Sequence, residues 1–207
     1  SAYHLDRFRT GMGDTTARFT VTQATAALNG FANSLKYDCT TAESSLSSAD
    51  ARLFIQHRLE GQDLQHLKKG TSDAEKVTVS FYVKTNKSGV YTVELYDNDN
   101  TRSISQTITV SDANWNRYTL TFDGDTTGTL DNDNGNSFNL IIHLIAGTTY
   151  TGGTFSTSWS SATDNTRVSS SNVNIGDSTD NNFEITGLQI EVGSQATPFE
   201  HRSFGEE

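Results

Sequence analysis

Phe54, Gln56, Arg58 and Glu60 alternate with Leu53, Ile55 and Leu59, and Tyr82, Lys84, Glu94 and Tyr96 alternate in the same way with Val83, Val93 and Leu95. In a strand, successive side chains point to opposite faces. With the aliphatic set turned inward, Phe54, Gln56, Arg58, Tyr82, Glu94 and Tyr96 are expected to share one outward face. Aromatic rings beside amide, carboxylate and guanidinium groups on a rigid surface are what sugar recognition needs, and the expected form is a concave groove. The competing expectation is an ordinary solvated face of cross-strand pairs. Trp159 belongs with these residues as either a plug packed on the body or an exposed platform for a ring. Trp115, at a strand entrance, reads as packing.

Two other chemistries are open to inspection. Asp97-Asn98-Asp99-Asn100 and Asp131-Asn132-Asp133-Asn134-Gly135 crowd oxygen atoms into turns, so calcium held by Asp97, Asp99, Asp131 and Asp133 is one reading. The other is that Asp and Asn make turns through their own backbone hydrogen bonds. Catalysis is not expected. A retaining glycosidase needs two neighbouring carboxylates, and Glu94 and Glu184 stand singly on their strands. A Gly-x-Ser-x-Gly elbow is absent, and His4, His57, His66, His143 and His201 show no metal-ligand spacing.

The elements that must position these residues are strands. Period two is clearest at Val77, Val79, Phe81 and Val83. The polar turn Asn86-Lys87-Ser88-Gly89 then leads to Tyr91, Val93 and Leu95, which reads as a β-hairpin. Strands with Ile104, Ile108 and Val110 and with Tyr118, Leu120 and Phe122 extend it to a four-stranded meander. Further strands are expected at residues 3–8, 17–22, 35–40, 53–60, 138–145, 168–175 and 182–192. Residues 138–145 are almost continuously apolar, which suits a central strand covered on both sides, with a buried helix as the alternative. Within 182–192, Phe183 and Ile185 keep one parity and Leu188, Ile190 and Val192 the other, so a bulge at Thr186-Gly187 is expected. Residues 63–70 hold the one helical signal, with an Asp start and a Gly stop. About ten strands without a fixed repeat imply an all-β antiparallel sandwich, taken as one domain over residues 1–207. Its long polar loop, 146–182, keeps Tyr150, Phe155 and Trp159, and a tail follows from 194.

The bulk numbers narrow the partners. A net charge of -10 argues against a phosphate-backbone binder, which needs clustered Lys and Arg. A single cysteine, Cys39, allows no internal disulfide and reads as a small buried apolar group. No apolar run reaches the roughly 20 residues of a membrane helix, so membrane insertion is not expected.

The segment Gly187-Leu188-Gln189-Ile190-Glu191-Val192-Gly193-Ser194-Gln195-Ala196-Thr197-Pro198-Phe199-Glu200-His201-Arg202 resembles one that recurs near the end of many phage tail-fibre and virion-associated proteins. Residues 70–74, 77–84, 124–129 and 177–183 resemble that family in the same order. Phe81-Tyr82-Val83-Lys84, Ser88-Gly89-Val90-Tyr91 and the strand from Trp115 to Phe122 are also similar to carbohydrate-binding modules of jelly-roll type. The resemblance implies a jelly-roll module displayed on a virion, outside the cell, in a homotrimer that recognises a host-surface glycan or receptor. A purely structural virion protein, as a capsid decoration or fibre connector, is the second reading, and a polysaccharide-degrading domain the third. In that family more chain follows the Pro-Phe-Glu segment, and with a Ser-Ala start this sequence reads as a fragment. Physically, Pro198 ends the last strand, with Phe199 expected under the sandwich edge and Glu200 and Arg202 at its rim.

Overall fold

The aliphatic parity of the central strands turns inward to a shared core in the computed structural model, which describes residues 2–5 and 8–201. Two antiparallel sheets result, an all-β sandwich of jelly-roll type. The larger has seven strands in the order β1 (Ala2–Leu5), β2 (Phe8–Gly13), β5 (Arg52–Glu60), β10 (Asn136–Ala146), β7 (Gly89–Asp97), β8 (Arg102–Val110) and β11 (Ser160–Ser161). The smaller has five, in the order β3 (Arg18–Leu28), β4 (Phe31–Thr41), β12 (Asn182–Val192), β6 (Val77–Thr85) and β9 (Asn116–Phe122). The described residues therefore hold twelve strands rather than about ten, the eleventh only two residues long.

Between the sheets Tyr37, Phe81, Tyr91, Phe122, Phe138 and Phe183 are fully enclosed, each contributing about 1.5–3 kcal/mol of burial. The buried hydroxyls find partners. Tyr37 Oη meets Thr10 Oγ1 at 2.5 Å across the two sheets, and Tyr91 Oη donates to the Lys87 carbonyl at 2.7 Å. Cys39 is buried as expected, and burial raises its thiol pKa.

β10 is the central strand covered on both sides, buried from Ser137 to Ile145. The bulge in β12 falls between Thr186 and Gln189, where Gly187 and Leu188 oppose one residue of β6. Gly187 takes φ +60°, and a Cβ there would stand 2.7 Å from the Phe31 ring. Glycine is the residue that fits.

Four expectations need correction. The turn at residues 86–88 does not close a hairpin: β6 pairs with β12 and β9, while β7 pairs with β10 and β8. The four-stranded meander is thereby split between the sheets. Thr85, Asn86 and Lys87 anchor this corner instead, through Asn182, Asp180 and Asp177. Residues 168–175 form no strand. They run irregularly beside β7 with one isolated bridge, Val90 to Asn172, because the Asn172 and Thr92 side chains take the backbone partners a ladder would use. The expected helix at 63–70 is a 3₁₀ helix, Gly61–Leu67, ended by Lys68 and Gly70 at positive φ. A four-residue α-helix, α1 (Thr148–Thr151), appears where no signal pointed. The strand expected at 3–8 is β1 followed by the start of β2, and its residues 6 and 7 lie outside the described residues, as does Arg202.

Candidate functional site

Register across the seven-stranded sheet sets three rows on its outer face. Arg9, Gln56, Ile141, Glu94 and Ser105 are successive partners; so are Arg58, Asn139, Tyr96 and Ser103, and Gly11, Phe54, His143 and Thr92. Phe54, Gln56, Arg58, Glu94 and Tyr96 thus share the face that parity assigned to them. The Phe54 ring lies across Gly11, where an added Cβ would stand 2.1 Å from its Cζ. This face has a floor and an upper layer. Gln56, Asn139, Ile141, His143 and Glu94 are buried, whereas Arg9, Phe54, Arg58 and Tyr96 are half-buried above them. Arg9 Nη1 and Arg58 Nε each donate to Gln56 Oε1 at 3.4 Å. Asn139 Oδ1, between the Arg58 and Tyr96 strands, is buried with no hydrogen-bond partner, which leaves an acceptor unsatisfied in the floor.

One end of the face is closed by the connection from β10 to β12. Arg167 Nε and Nη2 hold Glu94 Oε1 and Oε2 at 2.8 and 3.0 Å, and His143 Nε2 lies 2.9 Å from Oε2. Burial opposes the charge on Glu94, yet the Arg167 guanidinium and His143 outweigh it and hold the carboxyl below its ordinary pKa. Glu94 is fully enclosed and in no position to meet a ligand. The guanidinium of Arg167 also stacks on the Tyr96 ring, 4.7 Å from its centroid. Ser105 adds backbone and hydroxyl bonds to Ser156 and Arg167, and Arg52 Nη1 donates to Tyr150 Oη at 2.7 Å.

Sequence reasoning missed Arg167, Arg9, Asn139 and the His143–Glu94 contact. A usable signal existed for the first: Arg167 is the lone basic residue from 147 to 181.

Tyr82 and Lys84 do not join this face. Because β6 crossed to the other sheet, Tyr82 looks outward on the opposite side of the sandwich, its ring 5.2 Å from Phe31. There the chain covers itself. Gln189 and Glu191, alternate residues of β12, catch the tail: Glu191 Oε1 accepts from Thr197 Oγ1 at 2.6 Å, Gln189 Nε2 donates to Thr197 Oγ1 at 3.0 Å, and Gln189 Oε1 accepts from Glu200 N at 2.9 Å. Arg117 donates to the Thr197 carbonyl. Phe199 packs 5.1 Å from Phe31 on this outer face, not under the sandwich edge. Trp115 caps the same side as packing, with Nε1 on the Ala26 carbonyl.

Trp159 is the plug. Its ring packs 6.0 Å from Phe138, Nε1 donates to the Asp123 carbonyl at 2.6 Å, and Lys69 Nζ lies 5.3 Å from the ring. Beneath it the Lys69 ammonium sits between Asp97 and Asp125, with the carbonyls of Thr127 and Gly128 completing its shell. Of the four calcium candidates Asp97 is thus taken: its cation is a lysine, and Asn100 fills the carboxylate's remaining positions. Asp99 accepts from the backbone of Asp131 at 2.9 Å, and Asp133 from that of Gly135 at 2.8 Å. Among the described residues no group of three acidic, His or Cys side chains is arranged for a metal. The space beside Lys69, Asp125 and Trp159 is about 10 Å³, which is too small for a substrate, so the two carboxylates there serve the ammonium.

No family model and no curated protein matches the chain. Solved structures are similar to it. A family 4 carbohydrate-binding module aligns over 89% of this chain and 86% of its own, at TM-score 0.49 and 11% identity. The C-terminal family 22 carbohydrate-binding module of Clostridium thermocellum Xyn10B aligns over 94% and 91%, at TM-score 0.48 and 10% identity. The enzymatically active domain of tailspike protein 4 of bacteriophage CBA120 is matched over 90% of this chain but 19% of its own length, at TM-score 0.50 and 10% identity. At such identities the likeness concerns the fold alone: this chain is an antiparallel jelly-roll sandwich, and part of the tailspike protein shares that fold.

Proposed function

We propose that this chain is a non-catalytic module that binds a glycan across the outer face of its seven-stranded sheet. One observation carries the reading: two half-buried aromatic rings, Phe54 and Tyr96, stand on one rigid face with the amide of Gln56 and the guanidinium groups of Arg9 and Arg58 between and beside them. Two rows and two strands separate the rings, roughly 16 Å by strand geometry, which is room for a short oligosaccharide. Glu94, the buried acid between the two rings' strands, is spent on Arg167 and His143, which supports recognition rather than catalysis.

On this reading the module is exposed on a virion as part of a homotrimeric tail fibre and meets the host surface. The resemblance of residues 187–202 to tail-fibre proteins supports that setting, and the named carbohydrate-binding modules support the ligand class. A glycan array with product analysis tests it. Binding without shortened products is expected. Phe54→Ala and Tyr96→Ala should each weaken binding about tenfold, in line with losing one stacking or hydrogen-bonding anchor, while Tyr82→Ala, on the far sheet, leaves it unchanged. Shortened products, or loss of binding in the Tyr82 variant alone, overturn the proposal.

A further inference from the structure

We infer that the outer face of the five-stranded sheet is a receptor for residues 197–201, and that neighbouring copies of this chain exchange that segment, each laying its tail on the next copy. The inference concerns the sheet opposite the proposed glycan face and does not depend on it.

The tail is held as a bound peptide is held. Residues 197–201 share no strand ladder with the sheet. Among the described residues, their hydrogen bonds to the body run to three side chains, drawn from β12 and β9. Glu191 accepts from the amide and the hydroxyl of Thr197, at 3.1 and 2.6 Å. Gln189 donates to that hydroxyl and accepts from the Glu200 amide, and Arg117 donates to the Thr197 carbonyl. Thr197 thus has its amide, carbonyl and hydroxyl all read by side chains. Phe199 and His201 close on Phe31, with ring centroids 5.1 and 5.2 Å away. The Phe31 ring in turn lies against Gly187, so the bulge of β12 shapes the seat. Side chains that read a segment in this way do not depend on which chain supplies it.

What keeps the segment on its own chain is one turn. β12 ends at Val192, Gly193 takes φ +103°, and the chain reverses so that Thr197 lies back beside Glu191 and Gln189. The Gly193 amide donates to the Lys76 carbonyl and its carbonyl accepts from Thr78 Oγ1, each at 2.7 Å. A positive φ of this kind is open to glycine and strained for a residue with a Cβ. Ser194 and Gln195, between the turn and the seat, are exposed. Exchange therefore requires only that residues 193–196 straighten. Every contact of residues 197–201 is then remade on a neighbour, which makes exchange of an identical element a low-cost route to an assembly. In a lone chain the short linker favours the chain's own face, at an effective concentration on the order of millimolar. Copies packed side by side bring a second face to a similar concentration.

The test places cysteines at the Gln189–Thr197 contact, 3.0 Å across, in the full chain. Gln189→Cys with Thr197→Cys in one chain should close within that chain at about 1 µM protein and form disulfide-linked multimers at about 0.5 mM, read on non-reducing gels. The two single variants, mixed at the higher concentration, should give the mixed disulfide, while the parent, whose Cys39 is buried, stays unlinked. Closure within the chain at both concentrations, or no pairing at all, overturns the inference. Gly193→Val gives a second reading, because it strains the return turn while its side chain meets nothing within 4 Å. Light scattering should find a multimer fraction about tenfold above the parent's, with the amides of residues 194–201 still protected from exchange. A monomer whose tail amides exchange freely means that the strained turn releases the segment without handing it on, and the inference falls.

Discussion

On the five-stranded sheet the chain covers its own outer face, with residues 194–201 laid across Phe31 and held by Gln189, Glu191 and Arg117. On the seven-stranded sheet the described residues close one end, where Arg167 locks a loop over Glu94, and set arginines and aromatic rings over a buried polar floor. The two faces are built from the same alternation of inward aliphatic and outward polar residues. They differ in what the outward residues bond. Gln189 and Glu191 hold a neighbouring segment, whereas Arg9 and Arg58 each give a donor to the Gln56 amide oxygen within the sheet. Outward polarity therefore says little about function until its partners are known.

The comparison is broken most severely at the lock. Arg167→Ala strands the Glu94 carboxylate inside the protein with His143 beside it. The expected cost is about 3–5 kcal/mol, as for removal of one member of a buried pair, read as a lowered urea midpoint. A cost below about 1 kcal/mol would mean that water reaches Glu94 and that the loop is not locked.

A smaller effect tests the open part. Gly11→Ala pushes a methyl group into the Phe54 ring. Overpacking of this kind costs about 1–3 kcal/mol, less here if the ring swings away. In that case glycan binding should fall with little change in melting temperature, and unchanged binding would remove Phe54 from the site.

The mildest change concerns the closed face. Glu191 is partly buried, which raises its pKa, but its bonds to Thr197 and Gln189 and the charge of Arg117 leave it lowered. A lowered folded pKa means that the tail's hold is complete above the ordinary carboxylate value and is lost as pH falls through the lower, folded one. Amide exchange of residues 194–201 should accelerate in that acid window and, in Glu191→Gln, already at neutral pH. Glycan binding should not respond, because the tail lies on the opposite sheet.

Much of the sandwich is legible in the residues. Leu53, Ile55, Val93 and Leu95 announce their strands by parity, the run around Ile142 announces a strand covered twice, and the parity change across Thr186-Gly187 announces a bulge, because a register slip would turn an entire aliphatic set to solvent. Tyr82 shows where this stops. Its parity is right, but parity gives only inward or outward, and the corner at residues 86–88 sends β6 and β7 into different sheets. Asp97 shows the same limit for chemistry: a turn rich in acids suits calcium until Lys69, 28 residues away, supplies the charge.

By itself the sequence determined which residues face inward, since hydrophobic burial acts on each strand through its own period of two. It also determined Phe54, Gln56 and Arg58 as neighbours, because they sit on a single strand. Only the tertiary structure decided which strands share a sheet, that Arg167 reaches Glu94 across 73 residues, and that Phe199 belongs to the face opposite Tyr96. Those outcomes depend on long-range pairings and on side chains finding partners in space, and a local pattern carries no record of either.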